Sequence, residues 1–380
     1  MAVTVIFFLN GAVFSSWYAR LPSIQDRLDL DPGALGVALV GAPVGLLVAQ
    51  PLVGAIIARR GSRPLMAAAP ICTAAVVLPA LAVDAFTLLL AVTAVGALNG
   101  SLDIAMNAQG LTVERVARRP LFNSLHAAFS FGALFGAGSA GVIAGAGVAP
   151  LPHLAAAACL GAVAAAVAAR GLLPAELDAR PQAPRLGRPS WRLASLGALA
   201  FCALLAEGAV FDWSGVYLAR EAGAGARVAA WGLASFSLAM GFGRLATDGL
   251  AARRGPVTVG RGGAALAGAG LAVALATAAP VGGIVGFALM GAGLSAVFPL
   301  TLRAAGADAE GAGPAVAAVS TVGYGGFLIG PPTIGLLADA TSLRAALLLV
   351  CALCLTAAAL APQLRGAMLR EQEAVATGRT

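Results

Sequence analysis

Apolar runs of about 20 residues, the length of helix that crosses the hydrocarbon of a bilayer, recur along nearly the whole chain. They lie at about 2–21, 34–57, 65–83, 86–109, 121–144, 152–171, 192–219, 229–251, 257–279, 281–303, 314–337 and 342–362. This pattern predicts an all-α membrane protein of twelve transmembrane helices with essentially no domain outside the bilayer. Composition points the same way. The chain is 59% hydrophobic and 11% charged with a mean hydropathy of +0.90, against roughly 45–50% and about 25% in soluble domains. The opening "MAVTVIFFLNG" (1–11) has no basic segment ahead of its apolar stretch, which continues into a longer helix, so it reads as the first span rather than a signal peptide. Its abrupt start leaves open a start upstream of Met1.

Charge sets the orientation. All 24 basic residues are Arg. If the first helix starts in the cytoplasm, 18 of them fall on the cytoplasmic side, only Arg20, Arg27, Arg220, Arg227 and Arg344 fall outside, and Arg244 lies within a helix. That bias is the one the positive-inside rule demands, and it predicts an inner-membrane protein with both termini cytoplasmic. The net charge of +7 mostly expresses this loop bias. Nucleic acid is excluded as a partner, because no basic face carries readout or stacking groups. Cys351 and Cys354 form a CxxC inside the last span without Cys or His neighbours in sequence. They read as packing residues, and neither a metal nor a cofactor is expected.

The chain repeats itself. "NGAVFSSWYARL" (10–21) and "EGAVFDWSGVYL" (207–218) match at a shift of 197, "GALNGSLDIAMN" (96–107) and "FALMGAGLSAVF" (287–298) at 191. "GAIIARRGSRP" (54–64) and "GLAARRGP" (249–256) end the second and eighth spans with the same Ala-Arg-Arg-Gly turn. Similar shifts at three places predict two parallel, pseudo-symmetric six-helix bundles at 1–171 and 192–363. A Pro- and Arg-rich cytoplasmic linker at 172–191 joins them, and a cytoplasmic tail follows at 364–380.

Twelve helices in two parallel repeats resemble the plan of the major facilitator superfamily, over nearly the whole chain. That family's loop after the second span carries an Asp that is Ala58 here, whereas "GRLATDGLAARRG" (243–255) keeps Asp248 and its Arg pair. More narrowly, "EGAVFDWSGVYL", "DIAMNAQGLTVE" (103–114), "RPLFNSLHAAFSFGALFGA" (119–137) and "VGYGGFLIGPPTIGLLAD" (322–339) are similar to the YbjJ-type branch, whose relatives include fucose permeases. The resemblance implies a transporter rather than an enzyme, working by alternating access. In fucose permeases the acid matching Asp103 is implicated in substrate binding and proton uptake. Tyr18 stands where those relatives have an acid, so their sugar-symport mechanism does not transfer intact.

Ionisable groups within a bilayer are costly unless paired or hydrated, and so mark functional candidates. Asn99, Asp103 and Asn107 are four apart and share a helical face. Asp103 either carries a proton or substrate, or belongs to a structural network with its flanking amides. His126 lies about 8 Å into the next span by helical rise, near the depth of Asp103, and is its natural partner; otherwise it is a neutral His bonded to a carbonyl or an Asn. Asn123 and Ser130 lie on or beside its face. Glu207 falls near the membrane centre with Asn10 at the matching place, and unpaired there it is a candidate proton carrier. Asp212 lies about 7–8 Å farther out.

Trp213 and Tyr217 beyond these acids, matched by Trp17 and Tyr18, form either an aromatic wall of the site or an anchor at the outer membrane interface. Tyr324, in "GYGGFLIGPP" (323–332), joins the binding candidates. Arg244 and Asp248 share a face and read first as gating or structural machinery, with Arg253, Arg254 and their first-half counterparts Arg59 and Arg60, and second as direct contacts to the substrate. Arg20 either snorkels or pairs with Asp26. Gly132, Gly136 and the glycines before Pro331 and Pro332 suggest bending helices between the halves, or close static packing.

These features predict a monomeric secondary transporter of a small, polar, sugar-like solute, with protons as coupling ions. No Walker-type loop supplies ATP energy. A multidrug or metabolite exporter of the same superfamily is the nearest alternative, and a non-transporting receptor or structural protein the more distant one.

Overall fold

The computed structural model describes residues 1–119, 121–177, 190–307 and 312–366. Most of the linker and of the tail lie outside the described residues. The chain runs back and forth through twelve segments: α1 Ala2–Leu28, α2 Pro32–Arg60, α3 Ala69–Leu81, α4 Ala85–Ala117, α5 Phe122–Gly145, α6 Pro150–Ala169, α7 Trp191–Arg220, α8 Ala226–Arg254, α9 Pro256–Thr277, α10 Pro280–Ala307, α11 Ala312–Ala340 and α12 Leu343–Arg365. Ten of these are long and apolar enough to cross a membrane. The eleventh segment spans 29 residues, ample for a crossing at about 1.5 Å per residue. Side chains such as Val48, Leu160 and Val281 point outward fully apolar and exposed, as a lipid-facing surface requires.

The third segment departs from the expected continuous helix over 65–83. It is broken into Arg63–Ala67, Ala69–Ala74, a 3-10 turn Ala75–Val77 and Leu78–Leu81. Pro64, Pro70 and Pro79 explain the breaks, since each removes a backbone donor and crowds the preceding turn. In α11, by contrast, the helix runs through Pro331 and Pro332 without interruption.

The helix pairings repeat. In the first half α1 packs on α5, α2 on α4, α3 on α6 and α1 on α6. In the second, α7 packs on α11, α8 on α10, α9 on α12 and α7 on α12. Shifting each number by six converts one set into the other, which is the packing counterpart of the sequence repeat. The halves meet mainly where α5 packs on α8 and α2 on α11, two contacts related by the same shift, with a smaller contact between α1 and α7.

Gly132 and Gly136 do not lie between the halves. They bring the α5 backbone against Phe8 and Ala12 of α1, inside the first half.

The face bearing Met1 and Leu360 is called the terminal face below, and the other the opposite face. At the opposite face the halves close tightly. A Cβ added to Gly36 of α2 would lie 2.5 Å from the Pro331 carbonyl oxygen and 2.9 Å from the Gly335 Cα of α11. No side chain fits there. Gly36→Val is expected to wedge the two backbones apart at a cost of about 1–3 kcal/mol. A melting curve of the purified variant below that of the unaltered chain checks this, and an unshifted curve refutes the tight contact.

An exposed ion pair between Asp26 and Arg220 also spans the halves at this face, although exposed pairs contribute little stability. Arg20 does not take Asp26 as its partner. It is buried, and its Nη2 donates to the Val148 carbonyl at 2.6 Å, because the end of α1 turns it inward under the loop after α5.

Candidate substrate cavity

Between the halves lies a cavity of about 780 Å³, within the size range of small-molecule sites. Its wall draws on α1, α2, α4 and α5 from one half and α7, α8, α10 and α11 from the other. Toward the terminal face it is bounded by Glu114, Asn123, Ser124, Asp248 and Arg303; Asp248 and Arg303 are themselves substantially exposed. Toward the opposite face it ends beneath the α2–α11 and α5–α8 contacts. The cavity is thus open at the terminal face and blind at the other.

Helical spacing builds the first polar cluster. Asn107, one turn after Asp103, donates from Nδ2 to the Asp103 backbone oxygen at 2.8 Å and to its Oδ1 at 3.3 Å. Its Oδ1 then faces His126 Nε2 at 2.9 Å. An amide oxygen only accepts, so with this amide orientation His126 carries its proton on Nε2. The ring is held between Phe7 and Phe122, with centroids at 5.4 and 4.8 Å. Asp103 and His126 therefore communicate through Asn107 rather than by direct contact.

Arg244 builds the second cluster and links the halves. Its Nη2 lies 3.3 Å from Glu207 Oε1. Its Nη1 donates to Ser130 Oγ at 2.7 Å and to the His126 carbonyl at 3.2 Å, across the boundary between α8 and α5. Asp103 also lies within electrostatic reach of this guanidinium. Glu207 is accordingly not the unpaired carboxylate expected from its depth: a turn of α8 places Arg244 opposite it. Nearer the terminal face, Asp248 Oδ1 pairs with Arg303 Nη2 at 2.7 Å and its Oδ2 accepts from Asn123 Nδ2 at 2.6 Å. Glu114 Oε2 accepts from the backbone amides of Leu121 and Phe122, both at 2.8 Å, and so caps the start of α5.

The structure brings Asn10, Tyr18, Asn99, Asp103, His126, Glu207, Asp212 and Tyr324 to the cavity wall. Asn10 is buried and its amide reaches Met106 Sδ at 3.6 Å. Tyr324 stacks on Phe327. Asn107 stands behind the wall.

Trp17 and Trp213 are placed elsewhere. Both are completely buried and absent from the lining, and Tyr217 is equally buried with its hydroxyl donating to the Ala274 carbonyl at 2.8 Å. They serve neither as cavity wall nor as interface anchors, because their faces of α1 and α7 turn into the packed helices of their own halves. Arg244 and Asp248, read first as gating residues and second as substrate contacts, both line the cavity. Arg59, Arg60, Arg253 and Arg254 are exposed at the terminal ends of α2 and α8 and form no ion pair among the described residues. Arg303 and the phenylalanines at 14, 211 and 327 went unmarked in the sequence. Arg303 carried one usable signal, an Arg one turn after Pro299 inside the tenth span.

The family model of the Major Facilitator Superfamily matches residues 3–326. The chain belongs to that superfamily. This superfamily member is 33% identical over 362 residues to an uncharacterized MFS-type transporter of Yersinia pestis, covering 94% of each chain. It is 32% identical over 357 residues to the membrane protein MosC of Rhizobium meliloti, covering 92% of this chain and 86% of that one. Among solved structures, the nucleoside transporter NupG superposes with a TM-score of 0.70 at 14% identity, over 96% of this chain and 98% of its own. A bacterial homolog of the human lysosomal transporter Spinster, inward-facing and occupied, gives 0.69 at 16% identity over 97% of both chains. At such identities these two show the fold alone. The protein is a multi-pass membrane protein of a transporter superfamily, and not an enzyme.

Proposed function

We propose that this chain carries a small polar solute across the inner membrane by alternating access, driven by a proton gradient. The observation that carries the reading is the meeting, in one cavity between the halves, of the Asp103–Asn107–His126 cluster with the Arg244–Glu207 pair. Rocking of residues 1–171 against 192–363 breaks or forms the Arg244 bonds to α5 while leaving its bond to α7 within one half. A change in cavity access is thereby coupled to the electrostatics around Asp103 and Glu207. With the termini in the cytoplasm, as the Arg distribution supports, the cavity is open inward. The motifs around Asp103 and Glu207 favour the YbjJ-type branch, and a polar, sugar-like or nucleoside-like solute suits a wall that mixes amides, carboxylates and rings.

Uptake of a panel of labelled sugars, nucleosides and polyols into proteoliposomes, with and without an imposed pH gradient, is the deciding measurement. The expected result is accumulation of one class that collapses on addition of a protonophore. Uptake indifferent to the gradient would reduce the protein to a uniporter, and no uptake by any class would overturn the reading. Export of amphipathic compounds is the second reading, favoured by the phenylalanines in the wall; energised extrusion of a fluorescent amphiphile would select it.

A further inference from the structure

Five acids and two arginines line the cavity, in a chain whose overall charge is +7. Four of the acids have partners. Glu207 has Arg244, Asp248 has Arg303 and Asn123, Glu114 has two backbone amides, and Asp103 has Asn107. Asp212 has none: among the described residues no hydrogen bond or ion pair satisfies it, although it is only 6% exposed. It stands at the blind end of the cavity, within electrostatic reach of Tyr18. Phe14, Tyr18 and Phe211 line the same cavity and pack on one another, Tyr18 edge-on to Phe14 at 5.0 Å and to Phe211 at 5.5 Å. A buried carboxylate without a counter-charge is strongly unfavourable, so Asp212 either takes up a proton or is paired by a positive group supplied from the cavity.

The surroundings select the kind of cation. Hard metal ions need six or more oxygen ligands, and ring faces supply none. No group of three or more His, Cys, Asp or Glu side chains able to hold a metal occurs among the described residues. A protonated amine uses both features of this part of the wall, pairing with the carboxylate and resting against aromatic faces. We propose that Asp212, with Phe14, Tyr18 and Phe211, is a subsite for the protonated amine of the transported solute, which makes the substrate class small, polar organic cations. This rests on the transporter reading and names its substrate more narrowly. An anionic solute is disfavoured by the same acid-rich wall.

The test uses the full chain in lipid nanodiscs and two series: serinol against glycerol and glucosamine against glucose, each exchanging an amine for a hydroxyl at C2, with glycerate and glucuronate, oxidised at a terminal carbon, as the anionic counterparts. Binding is measured by titration calorimetry, and uptake of the same compounds in proteoliposomes. The amines are expected to bind about tenfold or more tighter than the alcohols, and the carboxylates not at all. Asp212→Asn is expected to erase the amine preference and Asp212→Glu to retain it.

Equal binding of amine and alcohol by the unaltered chain, an amine preference that survives Asp212→Asn, or no binding in either series would overturn the subsite. The two readings fail separately. Alcohols or carboxylates carried without regard to Asp212 would sink the subsite and leave the transporter standing. Amines bound through Asp212 but never carried would do the reverse.

Discussion

Arg244→Met is expected to abolish transport, with uptake in proteoliposomes falling about a hundredfold or more. The guanidinium is 13% exposed at its side chain and holds Glu207 on one side and Ser130 and the His126 carbonyl on the other. Removing one member of a largely buried charge pair leaves the other uncompensated, which typically costs about 3–5 kcal/mol. Part of the loss will therefore be stability.

A second variant separates stability from function. Arg244→Met combined with Glu207→Gln leaves no orphan charge, so its melting temperature should recover toward that of the unaltered chain while transport stays absent. Arg244→Lys keeps the charge but not the planar fork that serves two helices at once, and it should retain the ion pair with a partial rate. If the double variant transports normally, the Arg244–Glu207 pair is only a brace and the coupling proposed for it fails.

The fold was largely legible because membrane insertion writes its requirement as length and hydropathy. Each expected span has its counterpart among α1 to α12, and the Ala-Arg-Arg-Gly turns fall at the terminal ends of α2 and α8. The site was legible only in part, for a physical reason. Residues four apart share a helix face, so Asn99, Asp103 and Asn107 could be grouped. Which way a face points is encoded by amphipathicity in a soluble helix, and here the helices are apolar nearly all round.

Trp17 and Trp213 show the consequence. They sit beside the polar positions of α1 and α7 in sequence, yet both are fully buried away from the cavity. Pairings between distant segments were equally hidden. Nothing in the sequence links Arg244 with Glu207, Asp248 with Arg303, or Arg20 with the Val148 carbonyl, because each depends on how separate helices are rotated and stacked. The breaks in α3 were written plainly as prolines, but an apolar run long enough to span outweighed them.

Asp103→Asn is expected to uncouple transport from the proton gradient without destroying the site. The substitution keeps the shape of the side chain. It also leaves intact the 2.8 Å bond from Asn107 to the backbone oxygen of residue 103, so Asn107 still presents its Oδ1 to His126. What disappears is a group able to bind and release a proton beside the Arg244 charge. Accumulation driven by a pH gradient should therefore fall to the equilibrium level, a loss of about tenfold or more for each pH unit of gradient otherwise used. Exchange of labelled for unlabelled solute across the same membranes should persist, since it requires the cavity to alternate but not the proton to move. His126→Gln serves as the contrast. The amide can still donate to Asn107 but cannot titrate, and if Asp103 alone carries the proton this variant keeps a gradient-driven uptake of reduced rate. Measured together, counterflow and gradient-driven uptake place the two residues on different footings: loss of both in Asp103→Asn would make the carboxylate part of solute binding, whereas undiminished accumulation would leave it as a structural member of the Asn107–His126 cluster and shift the coupling to Glu207.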